Sequence, residues 1–170
     1  MPGLLPDIDP EGLLEYSVVY TDRSLNHMSQ VFQTVMNDIS ATLKSVYNAQ
    51  AVAVVPGSGT FGMEAVARQF ASGKKCMVIR NGWFSFRWTQ IFEKGSIPAQ
   101  STVLKARRTH DAPQAPFAPA PIEEVVVAIK SEKPDVLFAP HVETASGIML
   151  PDNYIRALAD AVHSVGGLFV

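Results

Sequence analysis

The fold is decided by the stretch VVPGSGTFGMEAV at residues 54–66, in which a short apolar segment leads into a glycine-rich turn and then into a helix. The turn reads G-x-G-x-x-G, which is the written form of a dinucleotide-binding fingerprint. A dinucleotide site needs an acidic residue at the end of the next strand, but KCMVI (75–79) is followed by Arg80 and Asn81. A P-loop needs lysine after the last glycine, where Met63 stands instead. The sequence therefore favours neither of these two sites.

What remains at this turn is a strand, a glycine-rich loop with the hydroxyls of Ser58 and Thr60, and the start of a helix. Exposed N–H groups at the positive end of a helix dipole, with hydroxyls beside them, form a cradle for a single phosphate. The alternative is that the glycines serve only to allow a tight turn between strand and helix. From the residues alone both interpretations stay open.

Outward from this turn, apolar runs of strand length alternate with stretches of helical periodicity. The predicted strands are nearly all apolar and cover residues 50–55, 75–79, 101–105, 135–140 and 168–170. The predicted helices have apolar residues every third or fourth position and cover residues 24–47, 63–70 and 83–93, followed by one that Pro121 opens and one that Pro151 opens. The proline-rich stretch 111–121 is predicted to be a loop. This alternation predicts an α/β fold with a mostly parallel central sheet and helices on both faces.

Composition excludes several classes of partner. A formal net charge of −2 over 170 residues gives no reason to expect nucleic acid or an anionic membrane surface. No apolar run approaches the length of a membrane span. The single cysteine, Cys76, fits a reducing compartment and predicts a cytoplasmic protein, and the histidines show no metal-ligand spacing.

The last residues, GGLFV, lay down the start of a buried strand and stop at Val170. We therefore expect the front part of a longer protein, with residues 1–20 as an N-terminal segment and residues 21–170 as the first part of a large domain that ends inside a strand.

Four segments together carry a resemblance: GSGTFGMEAVARQF, RNGWFSFRW, HVETASGIMLP and GGLFV. In order and spacing they resemble class V, fold-type I pyridoxal-phosphate enzymes, and most closely the alanine–glyoxylate and serine–glyoxylate aminotransferases. The resemblance implies pyridoxal 5′-phosphate as cofactor and a homodimer. It also implies transamination between a small amino acid and a 2-oxo acid such as glyoxylate or pyruvate.

The resemblance also implies roles for individual residues. Ser58, Gly59 and Thr60 match the positions that bind the cofactor phosphate through backbone N–H groups and a hydroxyl. Thr144 matches the hydroxyl residue near the phenolic oxygen of the cofactor, with Ser146 as the alternative.

Phe84 falls where the family stacks an aromatic ring on the cofactor, when Arg87 is held in register. A slip of one residue would exchange it with Trp83, and either ring could instead be core packing. Glu143 is expected to be a structural acceptor for nearby backbone groups rather than a catalytic acid. His141 begins the same loop and either contacts ligand or serves as a hydrogen-bonding scaffold residue.

No catalytic residue is expected within this chain. The family's aspartate on the pyridine nitrogen and its Schiff-base lysine would both lie beyond Val170, so the 170-residue chain alone is expected to be inactive. Two alternatives remain: another class V enzyme, such as a desulfurase or lyase, and a non-catalytic module of the same fold. Desulfurases of this group place histidine at the position of Phe84, which favours the aminotransferase.

Overall fold

The structure is a computed structural model that describes residues 30–170. The chain divides into two compact units, with the boundary between Val54 and Val55. In the first unit, helix α1 spans Gln30–Tyr47 and contains no buried residue. The predicted start of this helix at residues 24–29 lies outside the described residues, as does the predicted boundary after residue 20.

The strand predicted at residues 50–55 is wrong. These residues form irregular chain, and Val54 and Val55 are 52% and 42% exposed. A strand forms only where a neighbour completes its hydrogen-bond ladder, and no strand within residues 30–170 pairs with this segment. The apolar composition predicted burial but did not supply a partner.

The second unit alternates helices and strands as predicted. Its helices are α2 (Gly59–Phe70), α3 (Trp83–Gly95), α4 (Ile122–Glu132) and α5 (Asp152–Ser164). Its strands are β1 (Lys75–Arg80), β2 (Gln100–Lys105), β3 (Arg107–Arg108), β4 (Phe117–Ala118), β5 (Val136–Phe138), β6 (Val142–Glu143), β7 (Ile148–Met149) and β8 (Leu168–Phe169). No helix among residues 30–170 combines the length and apolar character needed to cross a lipid bilayer.

Four strands form one sheet in the order β2-β1-β5-β8, and every neighbouring pair is parallel. The predicted α/β fold is therefore confirmed. Two short antiparallel hairpins, β3–β4 and β6–β7, lie outside this sheet. The first of them corrects the loop prediction for 111–121, since Phe117 and Ala118 pair with Arg108 and Arg107.

Strand β1 is buried on both faces. Its residues Met77 and Ile79 belong to a cluster with α4 and α5, whereas Cys76 and Val78 belong to a second cluster with α2 and α3. Alternate side chains of this strand thus pack in two hydrophobic clusters on opposite faces of the sheet. This explains why the strand sequence is a continuous apolar run.

The register of the sheet determines where the site can lie. In the parallel pair β1–β5, Val78 is opposite Phe138, so both strands end at the same edge. Strand β1 leads through Asn81 and Gly82 into α3, and β5 leads through His141 into β6. Ligands of open α/β sheets bind at this carboxyl edge.

Candidate functional site

The N-terminus of α2 has backbone N–H groups without an acceptor among residues 30–170. Ser58 is its N-cap, in an extended conformation, and its hydroxyl makes no capping bond. The N–H groups of Phe61 and Gly62 donate to the Ser58 carbonyl at 2.9 and 3.4 Å. Within residues 30–170, the N–H groups of Gly59 and Thr60 have no acceptor, and the first turn holds no acidic residue. Such a helix end attracts an anion.

The glycines of the turn have different roles. Gly57 has a φ of +128°, and a Cβ there would overlap the Phe61 ring, so this position needs glycine for the turn itself. Gly59 has no such conformation, and a Cβ added to it would meet nothing within 4 Å. A tight turn accounts for Gly57 but leaves Gly59 unexplained. A side chain at Gly59 would point into open space beside the free N–H groups.

Phe84 and Trp83 begin helix α3, and both are largely outside the core. Phe84 is 51% exposed and Trp83 is 54% exposed. Trp83 contacts rings and charges of its own helix: its centroid lies 5.7 Å from that of Phe86, and the Arg87 guanidinium lies 5.9 Å from it. Phe84 has no ring partner within the described residues. Of the two rings, Phe84 is therefore the one left free to stack on another planar group.

Glu143 on β6 is fully buried and closes the N-terminus of α3. Its Oε1 accepts the N–H of Phe84 at 2.9 Å, and its Oε2 accepts the N–H and the hydroxyl of Ser85 at 2.8 and 2.6 Å. The expectation that Glu143 is a structural acceptor is confirmed. Sequence reasoning missed Ser85, although its place in the first turn of a helix that follows Asn-Gly is typical of a capping residue.

Thr144 comes directly after Glu143 and is exposed. The hydrogen bonds that Glu143 accepts from α3 therefore tie the residue next to Thr144 to the backbone of Phe84. The alternative hydroxyl, on Ser146, donates to the Glu143 carbonyl at 3.5 Å within the hairpin turn. The side chain of His141 is exposed, and its carbonyl accepts the N–H of Leu150 at 2.9 Å, which supports a scaffold role for its backbone.

The predicted phosphate residues lie on a different turn from Phe84 and Thr144. A cleft of about 340 Å³ between α2 and α3 connects the two helices, with Thr60 and Arg87 both in its lining. Glu64 and Arg68 form an exposed ion pair of 2.7 Å along the same cleft. Thr60 and α3 thus border a common space.

Cys76 near the start of β1 and Asn81 just after its end are both buried, but they differ in character. Burial, reinforced by the charge of Asp135, raises the pKa of the Cys76 thiol to about 11, so this thiol is an unreactive core group. Asn81 is 3% exposed, and neither atom of its side-chain amide has a hydrogen-bond partner in the described part of the chain.

Comparison with known proteins identifies the fold. No protein-family model matches the chain. It is 28% identical over 150 residues to L-aspartate–glyoxylate aminotransferase of Paracoccus denitrificans (strain Pd 1222), and the match covers 86% of this chain and 36% of that protein. It is 26% identical over 158 residues to alanine–glyoxylate aminotransferase of Rattus norvegicus, with the same two shares of coverage. The crystal structure of alanine–glyoxylate aminotransferase from Nostoc sp. superposes with a TM-score of 0.66 at 22% identity, over 85% of this chain and 36% of that one.

The chain has the α/β fold of the glyoxylate aminotransferase structures to which it is similar. It spans about a third of the length of the curated relatives that it matches. The resemblance stated from the four sequence segments is confirmed.

Proposed function

We propose that this chain is the front part of a pyridoxal-phosphate-dependent aminotransferase. The reaction transfers the amino group of a small amino acid to a 2-oxo acid such as glyoxylate or pyruvate. Both curated relatives are named as glyoxylate aminotransferases, which supports the acceptor class. The observation that carries the proposal is the open N-terminus of α2, on the same unit as a free, half-exposed aromatic ring on Phe84.

The residues present fit the cofactor. Its phosphate would accept the free N–H groups of Gly59 and Thr60 and the uncommitted hydroxyl of Ser58. Phe84 would lie against the flat face of its ring, and the hydroxyl of Thr144 would donate to its phenolic oxygen. When bound, pyridoxal phosphate supplies a conjugated ring that withdraws electrons from the carbon bearing the amino group.

In this proposal the chain binds and orients the cofactor and does not itself move the reacting proton. The lysine that holds the cofactor and the aspartate that pairs with its ring nitrogen belong after Val170. The complete protein is a cytoplasmic homodimer whose partners are small amino acids and 2-oxo acids, without nucleic acid or membrane.

Two alternatives belong to the same fold. A desulfurase or lyase would use the same phosphate site, and a non-catalytic module would keep the site without the chemistry. Phenylalanine at position 84, where desulfurases place histidine, favours the aminotransferase over the first alternative.

The test compares one substitution at the two ends of α2. Ser58→Ala removes a hydroxyl from the phosphate site. The matched control is Ser72→Ala, which removes a hydroxyl just beyond the other end of α2, where it donates to the Arg68 carbonyl. We expect Ser58→Ala to weaken pyridoxal-phosphate binding by the full-length protein about threefold to tenfold and Ser72→Ala to leave it unchanged.

Assays with glyoxylate and a panel of amino donors then distinguish an aminotransferase from a desulfurase, a lyase and an inactive module. Binding of an adenine dinucleotide to the wild-type protein, without binding of pyridoxal phosphate, would refute the proposal.

A further inference from the structure

Two separate pieces of the second unit are joined by one side chain. Glu143 lies in the β6–β7 hairpin. Its carboxylate accepts hydrogen bonds from Phe84 and Ser85, which lie 59 and 58 positions earlier in the chain. In the part of the chain that the structure describes, the carboxylate accepts three hydrogen bonds, all from the first turn of α3 and two of them from backbone N–H groups. Phe84 is held through its own N–H, so the carboxylate fixes the backbone that carries the ring.

Gly82 shows how closely the hairpin approaches the helix. A Cβ at this position would lie 2.6 Å from Cγ and 2.8 Å from Cδ of Glu143. The φ of Gly82 is 174°, which is an extended conformation open to any residue. Glycine is therefore required here because the Glu143 side chain passes directly over it.

The Glu143 carboxylate has no cationic partner among residues 30–170. Within residues 30–170, the ion pairs are Glu64–Arg68 and Arg107–Glu124, and neither involves Glu143. Its burial is offset by three donors and by the positive end of the α3 dipole. A buried carboxylate held by neutral donors depends on their exact placement, since the loss of one bond leaves a polar atom unsatisfied.

We propose that Glu143 is a positioning residue that sets the Phe84 ring relative to the Thr144 hydroxyl. One carboxylate links both: it accepts the N–H of Phe84, and Thr144 directly follows Glu143 in the turn after β6. In this proposal, the backbone that carries the ring over one face of the cofactor is held to the hairpin that carries the hydroxyl at its edge. This inference rests on the proposed function for its ligand. The hydrogen bonds from Phe84 and Ser85 to Glu143, however, are present in the protein without ligand.

The experiment measures binding at the phosphate end of the cofactor separately from binding of the whole cofactor. Inorganic phosphate probes the α2 site alone, and pyridoxal phosphate probes that site together with the ring contacts. Glu143→Gln keeps the size of the side chain and replaces one accepting oxygen by a donor that faces an N–H or hydroxyl. We expect this variant of the full-length protein to bind pyridoxal phosphate about tenfold more weakly, with phosphate affinity changed less than about twofold.

The matched control is Tyr154→Phe, which removes another hydrogen bond of the second unit, the 2.7 Å bond from the Tyr154 hydroxyl to the Ala120 carbonyl. It should leave the ratio of the two affinities at the wild-type value. Ser85→Ala serves as a second variant should Glu143→Gln fail to fold, because it removes one bond to the carboxylate and leaves the other two. It should shift the ratio in the same direction by a smaller factor.

Amide hydrogen exchange provides a readout that needs no cofactor. Glu143→Gln should speed exchange at Phe84 and Ser85 selectively, and Tyr154→Phe should not. Equal losses of phosphate and pyridoxal-phosphate affinity, or an unchanged ratio in the folded variant, would overturn the positioning role. If the wild-type protein binds no pyridoxal phosphate, the proposed function fails. Unaltered exchange at Phe84 and Ser85 in Glu143→Gln would separately refute the claim that the carboxylate fixes the start of α3.

Discussion

Phe84→Ala distinguishes a ring that serves a ligand from a ring that serves the core. A fully buried phenylalanine contributes about 1.5 to 3 kcal/mol through burial alone, and its truncation to alanine costs about 3 to 5 kcal/mol. Phe84 is 51% exposed and has no ring partner within residues 30–170. About half of the burial contribution is therefore at stake, and we expect Phe84→Ala to lower the free energy of unfolding of the cofactor-free protein by about 1 kcal/mol.

Two other rings calibrate this value. Phe138 is 0% exposed and lies 4.5 Å from Trp88 and 5.2 Å from Phe92 between ring centroids, so Phe138→Ala should cost about 3 to 5 kcal/mol. Trp83→Ala tests the register, because its ring is as exposed as that of Phe84 but contacts Phe86 and Arg87.

The assay is urea unfolding of the cofactor-free protein, followed by titration of each folded variant with pyridoxal phosphate. Phe84→Ala should weaken binding by about 1 to 3 kcal/mol, whereas Trp83→Ala should change it little. A loss of stability as large as that of Phe138→Ala, with cofactor affinity intact, would show that Phe84 is a core residue. Exchanged phenotypes for the two variants would instead assign the stacking ring to Trp83.

Further predictions concern the packing and titration of the second unit. Gly82→Ala should destabilise the protein by about 1 to 3 kcal/mol, because its Cβ would lie 2.6 Å from Glu143 Cγ, whereas Gly59→Ala meets nothing within 4 Å; equal urea midpoints would contradict this. Tyr154→Phe should cost about 1 to 2 kcal/mol in the same assay, because the buried Ala120 carbonyl loses its donor. Burial and the charge of Glu123 raise the pKa of Tyr154 from 10.0 to about 12. Burial and the charge of Asp135 raise the pKa of Cys76 from 9.0 to about 11. Both groups therefore hold their protons more tightly in the folded state. Their contribution to stability is complete below pH 9 and is lost as pH rises towards 12, and Tyr154→Phe should flatten the decline above pH 10 in unfolding experiments at stepped pH.

The sheet could be predicted from sequence because its strands are buried on both faces. Runs such as KCMVI are apolar on both faces of the strand, which is typical of a strand covered by helices on each side. The segment 50–55 has the same composition but no strand partner in the described residues, and composition does not reveal pairing. The β6–β7 hairpin has two residues in each strand, too few for an alternating pattern to emerge.

The candidate site shows the same division between local and long-range information. The turn at Ser58–Thr60 could be found because its glycines, hydroxyls and helix start are neighbours in sequence. The bonds from Glu143 to Phe84 and Ser85 cross nearly sixty positions, and only the fold brings them together. Local patterns therefore predict the α2 turn as a candidate phosphate site, which stays a prediction, whereas the bonds that hold the backbone of Phe84 required the structure.

The helix N-termini of the second unit explain why an anion would bind at α2 rather than elsewhere on this unit. Helix α4 begins with Glu123 and Glu124, and α5 begins with Asp152, so each already has a carboxylate in its first turn. At the start of α3, the N–H groups of Phe84 and Ser85 already donate to the carboxylate of Glu143. Among these four helices, α2 alone has neither an acidic residue in its first turn nor, within residues 30–170, a side chain that accepts its first N–H groups. Because an internal carboxylate fills the end of α3, an incoming phosphate meets an attractive dipole at α2 and a negative charge at α3. In the proposed binding mode, the Glu143 carboxylate that holds the backbone of Phe84 would thus also favour the phosphate at α2 over α3, and so favour one orientation of the cofactor.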